Sequence, residues 1–146
     1  MTSERNKALA TRIIEEVWNR GDDTALETLL APGYVGRDPA YPVASRAEFG
    51  TFLHRFRATF PDLRFSVEAQ IAEGDWVVTR WRARGSHQGE LSGLPATGKS
   101  VAITGITLSR IVAGQVVEDW RNWDTLGLIE QLGTDPSTLQ PTTRDT

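Results

Sequence analysis

The sequence contains no cysteine, one methionine and two histidines among its 146 residues. The absence of cysteine excludes disulfides, thiolate zinc sites and cysteine nucleophiles. His54 and His87 are far apart in the sequence, so we predict that the chain holds no metal. We also expect no cofactor, because the sequence has neither a phosphate loop nor a dinucleotide-binding fingerprint.

Long apolar runs and a basic surface are missing as well. No segment approaches the roughly 20 apolar residues that a membrane helix needs, and residues Met1 to Lys7 are too polar for a secretion signal. The net charge is −3, which argues against a nucleic acid or an anionic membrane as partner. We therefore expect a cytoplasmic protein. The length fits one domain, and 39% apolar residues suffice for a core.

The first half of the chain has a helical period. Apolar residues recur every four positions from Leu9, which predicts a helix over 3–20 that stops at Gly21. A second short helix carries Leu26, Leu29 and Leu30. Residues 31–44 hold three prolines and two glycines and are predicted as an irregular loop.

A third helix is predicted by its cap. Residues 45–48, Ser-Arg-Ala-Glu, match a capping box. The helix that follows carries a stripe of four phenylalanines and one leucine, and Pro61 ends it.

After Pro61 the period changes to alternation. This pattern predicts four strands, at 63–71, 76–87, 100–112 and 115–123. A short helix over 125–132, closed by Gly133, comes last, and the polar tail over 134–146 is expected to be flexible. Helices followed by consecutive strands predict one α+β domain over 1–133, with a cavity between the helices and a curved sheet.

Several stretches, taken in order, give the chain a family resemblance. They are Asp62–Phe65, Gly85–Glu90, Gly93–Lys99 and Glu118–Trp120 leading into Asp124–Leu128. Together they resemble the SnoaL-like polyketide cyclases, or ester cyclases, of the NTF2-like superfamily. The resemblance implies a cone, in which a curved antiparallel sheet wraps around about three helices, and often a homodimer. It does not imply one reaction, because this superfamily also holds isomerases, epoxide hydrolases and binding proteins.

The cyclases that the chain resembles close a ring by an intramolecular aldol step. They use an aspartate on the last strand as acid and base, with a histidine on the strand before it. Here an ungapped match puts Arg121 in the place of that aspartate, and a shift of one residue puts Asn122 there. Neither side chain takes up a proton at neutral pH. Thr107 stands in the place of the histidine.

Asp124 and His87 are the other candidates for proton transfer. Asp124 follows the last strand and acts either as a general base in an apolar pocket or as the cap of the helix that begins at Thr125. His87 shares a strand face with Trp81, and it either shuttles a proton or simply packs in the core. His54 is expected at the surface.

The last strand can face the cavity in either of two registers. We favour the one that directs Glu118, Trp120 and Asn122 inward, on the same side as Asp124. In the other register Asp119, Arg121 and Trp123 line the cavity, and an Asp–Arg pair becomes available.

Residues of the predicted loop and the inner strands are candidates for binding a substrate. Tyr34 can donate a hydrogen bond to a carbonyl or only pack, and Asp38 either binds at the pocket mouth or starts a turn. Trp81, Thr107, Glu118 and Trp120 complete this set.

Three functions fit the pattern. The first is a cofactor-free enzyme, an aldol-type cyclase or isomerase, acting on a hydrophobic carbonyl compound. The second is a non-catalytic binder of a small hydrophobic ligand. The third is an epoxide hydrolase like limonene-epoxide hydrolase, for which Asp119, Arg121 and Asp38 are the candidate relay. We favour the first, because an apolar, tryptophan-rich pocket with a few polar groups is typical of a small-molecule site.

Overall fold

The computed structural model describes residues 2–39 and 45–133. Its helices are α1 (Ser3–Arg12), continued by a π-helix (Ile13–Asn19), then a 3-10 turn (Asp23–Ala25), α2 (Leu26–Leu29), α3 (Arg46–Thr59) and α4 (Thr125–Leu132). Its strands are β1 (Leu30–Arg37), β2 (Arg64–Glu73), β3 (Trp76–Ser86), β4 (Ser100–Val112) and β5 (Gln115–Trp123). They form one sheet in the order β1-β5-β4-β3-β2.

The α+β class and the four consecutive strands are confirmed. Strands β2 to β5 form an antiparallel meander, whose first hairpin turns at Gly74 with a φ of 58°. α1 and α3 cover one face of this sheet, so the core lies between the helical layer and the sheet. The end of the domain at residue 133 remains a prediction, because residues 134–146 lie outside the described part of the chain.

The prediction of an irregular loop over 31–44 is wrong for its first half. β1 pairs in parallel with β5, at the edge of the sheet. Proline is tolerated in such a place because an edge strand has one unpaired side. The pairing also shifts register between Leu30 and Val35, which accommodates Pro32 and Gly33. Residues 40–44 lie outside the described residues.

The predicted first helix is confirmed over Ser3–Asn19, but its last seven residues form a π-helix. The wider turn appears in the hydrogen bond from the Arg20 amide to the Glu15 carbonyl. It ends at Gly21, with a φ of 69°, as predicted. This segment buries Ile13, Ile14, Val17 and Trp18 together.

The predicted caps of α3 and α4 are also confirmed. The Ser45 hydroxyl accepts the Glu48 amide at 3.1 Å, and Gly133 closes α4 with a φ of 73°. No helix among residues 2–39 and 45–133 has the length and apolar character that crossing a membrane requires.

The sheet needs glycine where Trp81 crosses it. Gly105 is the β4 partner of Trp81, and the indole ring lies over the glycine. A methyl group at Gly105 would overlap that ring. We predict that Gly105→Ala lowers the free energy of unfolding by about 1–3 kcal/mol, as overpacking does, measured by urea denaturation.

Gly33→Ala is the control for this substitution. Gly33 also lies in a strand, but no atom is within 4 Å of the added methyl group. We expect this change to alter stability by less than about 0.5 kcal/mol. Equal effects of the two substitutions would contradict the packing argument.

Candidate active site

A pocket lies between the helical layer and the inner face of the sheet. Its helical wall is apolar, and its sheet wall is mostly polar. The helical wall consists of Ala10, Ile13, Ile14, Trp18, Phe49, Phe52 and Phe56, and the sheet side of Asp38, Phe65, Thr79, Trp81, Ile103, Thr107, Ser109, Asp119, Arg121 and Trp123. This division resembles a small-molecule site, with a large apolar surface and a few oriented polar groups.

The polar groups of the sheet wall follow the strand register. Thr79, Thr107 and Arg121 are successive cross-strand partners on β3, β4 and β5. The neighbouring row towards one end of the pocket is Val77–Ser109–Asp119, and towards the other end it is Trp81–Gly105–Trp123. Because alternate residues of a strand share a face, these three rows all face the helices.

Arg121 is a buried cation in the pocket wall, 7% exposed. Its Nη2 donates to the Tyr34 hydroxyl at 3.3 Å, and the guanidinium carbon lies 4.9 Å from the centre of the Phe49 ring. Burial alone would lower the pKa of Arg121, but Tyr34, Asp119 and Asp38 together raise it above its ordinary value. The Nε–H is buried and has no hydrogen-bond partner among the described residues.

Asp119 joins Arg121 through Tyr34. The Tyr34 hydroxyl donates to Asp119 Oδ2 at 2.7 Å, and the Ser109 hydroxyl donates to Oδ1 at 2.5 Å. Burial, and then the charge of Asp119, raise the pKa of Tyr34 well above its ordinary value. Tyr34 therefore remains a neutral phenol, which accepts from Arg121 and donates to Asp119.

Asp38 is the second carboxylate of the pocket. It follows β1, is 6% exposed, and accepts the Trp123 indole N–H at 2.9 Å. Among the described residues that line the pocket, Asp38 and Asp119 face one cation, Arg121. With both carboxylates ionised, the pocket carries one negative charge in excess.

The favoured register of the last strand is wrong. Asp119, Arg121 and Trp123 face the pocket, whereas Glu118, Trp120 and Asn122 lie on the outer face, with Trp120 46% exposed. The cause is a β-bulge. Ile111 pairs with Val116 but Arg110 pairs with Glu118, so Val117 is an extra residue that reverses the alternation.

The structure places Asp124 and His87 outside the pocket lining. Asp124 caps α4 by accepting the Gly127 amide at 2.8 Å, and it does not line the pocket. His87 is fully buried, on the inner face as predicted, but its Nδ1 accepts the Thr97 amide at 3.2 Å and its ring packs on Phe60. Neither residue lines the pocket.

The remaining predicted residues divide between the two faces. Tyr34, Asp38, Trp81 and Thr107 are at the pocket, and the Trp81 indole donates to the Thr107 hydroxyl at 3.0 Å. His54 is at the surface as expected, beside Asp23. Within residues 2–39 and 45–133, no three His, Asp or Glu side chains are grouped to hold a metal ion.

Comparison with known proteins adds an independent line of evidence. The sequence profile of the SnoaL-like polyketide cyclases matches residues 8–132. The aklanonic acid methyl ester cyclase DauD of Streptomyces sp. (strain C5) is 35% identical over 136 residues, 84% of this chain and 78% of that protein. The nogalonic acid methyl ester cyclase of Streptomyces nogalater is 39% identical over 79 residues, 53% of this chain and 58% of that protein.

Solved structures agree with this comparison. IdmH of Streptomyces antibioticus is 30% identical, with a TM-score of 0.79 over 88% of this chain and 99% of that one. TsrD of Streptomyces laurentii is 27% identical, with a TM-score of 0.83 over 92% of this chain and 99% of that one.

His87 predicts a pH dependence of stability. Burial lowers its pKa below the ordinary 6.5, and the Gly89 backbone opposes this only in part. The unfolded chain therefore binds this proton more readily than the folded chain. The contribution of His87 to stability is complete above pH 6.5 and is lost as the pH falls below it.

We expect His87→Gln to reduce the change in unfolding free energy between pH 7.5 and pH 5.5, measured by urea denaturation at each pH. The comparison uses the difference between the two pH values for each variant, so a loss of stability that is the same at both pH values cancels. The control is Thr59→Val, at a buried residue without a titratable group, which should keep the wild-type dependence. If His87→Gln has the same pH dependence of stability as wild type, His87 is not the group that causes it.

Proposed function

Because the chain belongs to the SnoaL-like polyketide cyclase family, we propose that it catalyses an aldol-type ring closure of a hydrophobic carbonyl compound. The names of two relatives, aklanonic and nogalonic acid methyl ester cyclase, suggest the substrate class. We propose a polyketide-derived methyl ester. The chemistry needs only proton transfer and charge stabilisation, and the pocket side chains can supply both.

The observation that supports this proposal is the Nε–H of Arg121, which lies in the wall of an apolar pocket and has no hydrogen-bond partner within residues 2–39 and 45–133. A buried donor without an acceptor is costly, and a substrate oxygen can satisfy it. As a proton leaves the carbon beside a carbonyl, negative charge develops on the carbonyl oxygen. A fixed cation stabilises that charge most strongly where water is excluded.

We propose Asp38 as the general base. Both oxygens of Asp119 accept hydroxyl groups, from Tyr34 and Ser109, and the Tyr34 hydroxyl also accepts from Arg121. Asp119 thus acts as a positioning residue, which orients Tyr34 against Arg121. Asp38 is the other carboxylate lining the described pocket, and it is close enough to Arg121 to raise the pKa of that guanidinium.

The proposed step balances without a cofactor. Asp38 takes the proton from a carbon next to the carbonyl, and the electron pair forms an enolate whose oxygen accepts from Arg121. The enolate carbon bonds to a second carbonyl carbon of the same molecule. The resulting alkoxide takes back the proton from Asp38, so the product is an isomer of the substrate. Asp124, His87 and Asn122 take no part.

We predict that Asp38→Asn lowers kcat/KM by about 10²–10⁴-fold, because it removes a general base. The assay follows aklanonic and nogalonic acid methyl esters by chromatography and mass spectrometry, with a product of unchanged mass. The control is Glu118→Gln, the same change of a carboxylate to an amide on the outer face, which should retain activity. Full activity of Asp38→Asn would exclude Asp38 as the base.

Epoxide hydrolysis is the second candidate. It is favoured by the position of Asp38, Arg121 and Asp119 around one pocket, although Asp38 is distant from the other two in sequence. In this reaction one carboxylate takes a proton from water and the other, protonated, donates to the epoxide oxygen as its C–O bond breaks.

The test offers limonene 1,2-epoxide in ¹⁸O-water. A diol that carries ¹⁸O, with no conversion of the methyl esters, would favour epoxide hydrolysis. Binding of the esters, measured by tryptophan fluorescence, without conversion would leave a ligand-binding protein.

We propose that the outer face of the sheet forms a homodimer. Its middle row crosses four strands as Ile71–Val78–Leu108–Trp120, and two of these residues, Ile71 and Trp120, are 70% and 46% exposed. Ile106, 48% exposed, extends the patch. A continuous apolar patch of this kind marks an interaction surface, and a second copy presents the same patch.

We also propose a cytoplasmic location, because a chain without cysteine suits a reducing compartment.

We expect Trp120→Glu to convert a dimer into a monomer, because it replaces the largest exposed apolar side chain of the patch by a charged one. Sedimentation velocity measures the change. The control is Leu126→Glu, at a leucine on α4 that is 54% exposed, which should stay dimeric. A monomeric wild type, or a dimeric Trp120→Glu, would contradict the proposed interface.

A further inference from the structure

Thr107 lies in the middle of the sheet wall of the pocket. Its cross-strand partners are Thr79 on β3 and Arg121 on β5, and all three residues line the pocket. Residues that are directly opposite on antiparallel strands have Cβ atoms about 4.5–5.5 Å apart. A ligand that binds the Nε–H of Arg121 is therefore next to Thr107 as well.

The contact with Trp81 fixes the polarity of the Thr107 hydroxyl. The Trp81 Nε1–H donates to the hydroxyl oxygen at 3.0 Å, and an indole N–H can act only as a donor. The hydroxyl hydrogen must then point elsewhere, and within residues 2–39 and 45–133 no acceptor for it is found. Because Thr107 lines the pocket, a ligand oxygen can accept this hydrogen.

Packing holds the indole of Trp81 in this position. The residue is 6% exposed, its ring lies over Gly105, and the centroid of the Phe65 ring is 4.9 Å away. The ring cannot turn without displacing these neighbours, so the direction of its N–H is set before a ligand arrives. A donor that is oriented in advance stabilises a developing charge without reorganisation.

The proposed ring closure puts negative charge on two oxygens in turn. The first is the enolate oxygen, which accepts from the Nε–H of Arg121. The second is the oxygen of the other carbonyl, which becomes an alkoxide when the carbon–carbon bond forms. One N–H cannot point at both oxygens, and the Nη2 of Arg121 already donates to Tyr34. The second oxygen therefore needs a donor of its own.

We propose that Thr107 is a catalytic residue, which donates its hydroxyl hydrogen to the oxygen of the second carbonyl. The inference rests on the proposed function and adds the group that binds the electrophile. Trp81 acts through Thr107 and is a positioning residue. The hydroxyl keeps its proton throughout, and the alkoxide still takes its proton from Asp38. The substrate is then a dicarbonyl compound with both oxygens on the edge that faces the sheet and its apolar body against the helical wall.

The test compares wild type, Thr107→Val and Thr107→Ser with aklanonic and nogalonic acid methyl esters. Valine has the shape of threonine without the hydroxyl, so kcat should fall by about 10²-fold, as it does when one oxyanion donor is lost, with little change in KM. Serine keeps the hydroxyl and should restore most of the activity. The control is Thr104→Val, the same substitution on the opposite face of β4, which should retain activity.

Deuterium exchange separates the two halves of the reaction. In D₂O, an ester that is deprotonated but returns without closing its ring gains deuterium. Thr107→Val keeps Asp38 and Arg121 and should still form the enolate, so ester recovered at partial conversion should carry more deuterium than ester recovered from wild type. A merely structural defect slows deprotonation too and does not raise the deuterium content. Exchange without protein is subtracted.

The two proposals fail differently. If Thr107→Val keeps the wild-type kcat, or loses ring closure and deuterium incorporation together, the role of Thr107 is overturned and the proposed function stands. If wild type neither converts nor deuterates the esters, both proposals fail. Should Thr107→Val not fold, Thr107→Ala removes the same hydroxyl with a smaller side chain, and the same comparison applies.

Discussion

The charge of Arg121 is the constraint on which the rest of the pocket depends. An ionised group buried without partners costs several kcal/mol, so it persists only where opposite charges and hydrogen bonds surround it. Here the partners come from different elements: Tyr34 from β1, Asp119 from β5 and the Phe49 ring from α3. The guanidinium therefore requires the edge strand, the last strand and the third helix to pack around it together.

The sheet holds this cluster in place through its register. Cross-strand partners bring side chains of β3, β4 and β5 into parallel rows, so polar groups distant in sequence meet on one face. The bulge at Val117 decides which residues of β5 join those rows. Without it, Glu118 and Trp120 would face the helices, and the Asp119–Arg121 pair would face solvent. One extra residue in a strand thus decides whether the Asp119–Arg121 pair or the Glu118 carboxylate faces the helices.

Much of the fold could be predicted from the sequence because its signals are local. The capping box at Ser45, the apolar period of the first helix and the glycines at the turns each act within a few residues. The pocket, in contrast, is formed by residues that are far apart in the sequence, and local signals do not show which of them meet. Alternation counted from Val116 assigns Asp119 and Arg121 to the outer face, which is wrong, because the sequence gives no sign of the bulge at Val117. The sequence does not predict β1, because Pro32 and Gly33 indicate a loop and the pairing of β1 with β5 is not local. The resemblance to the SnoaL-like cyclases implies the α+β fold correctly, but only the structure shows that Tyr34 and Asp119, 85 positions apart, share a hydrogen bond.

The parallel pairing of β1 with β5 has a consequence for the order of folding. Hairpins such as β4–β5 close short loops, whereas β1 must find its partner across most of the chain, and such distant contacts form late because loop closure costs entropy. The antiparallel meander can therefore assemble before the edge strand arrives. Until β1 docks, Asp119 and Arg121 lack Tyr34, and the burial of their charges is incomplete. The pocket is therefore the last part of the molecule to form. A refolding chain forms its antiparallel strands before it can bind a substrate.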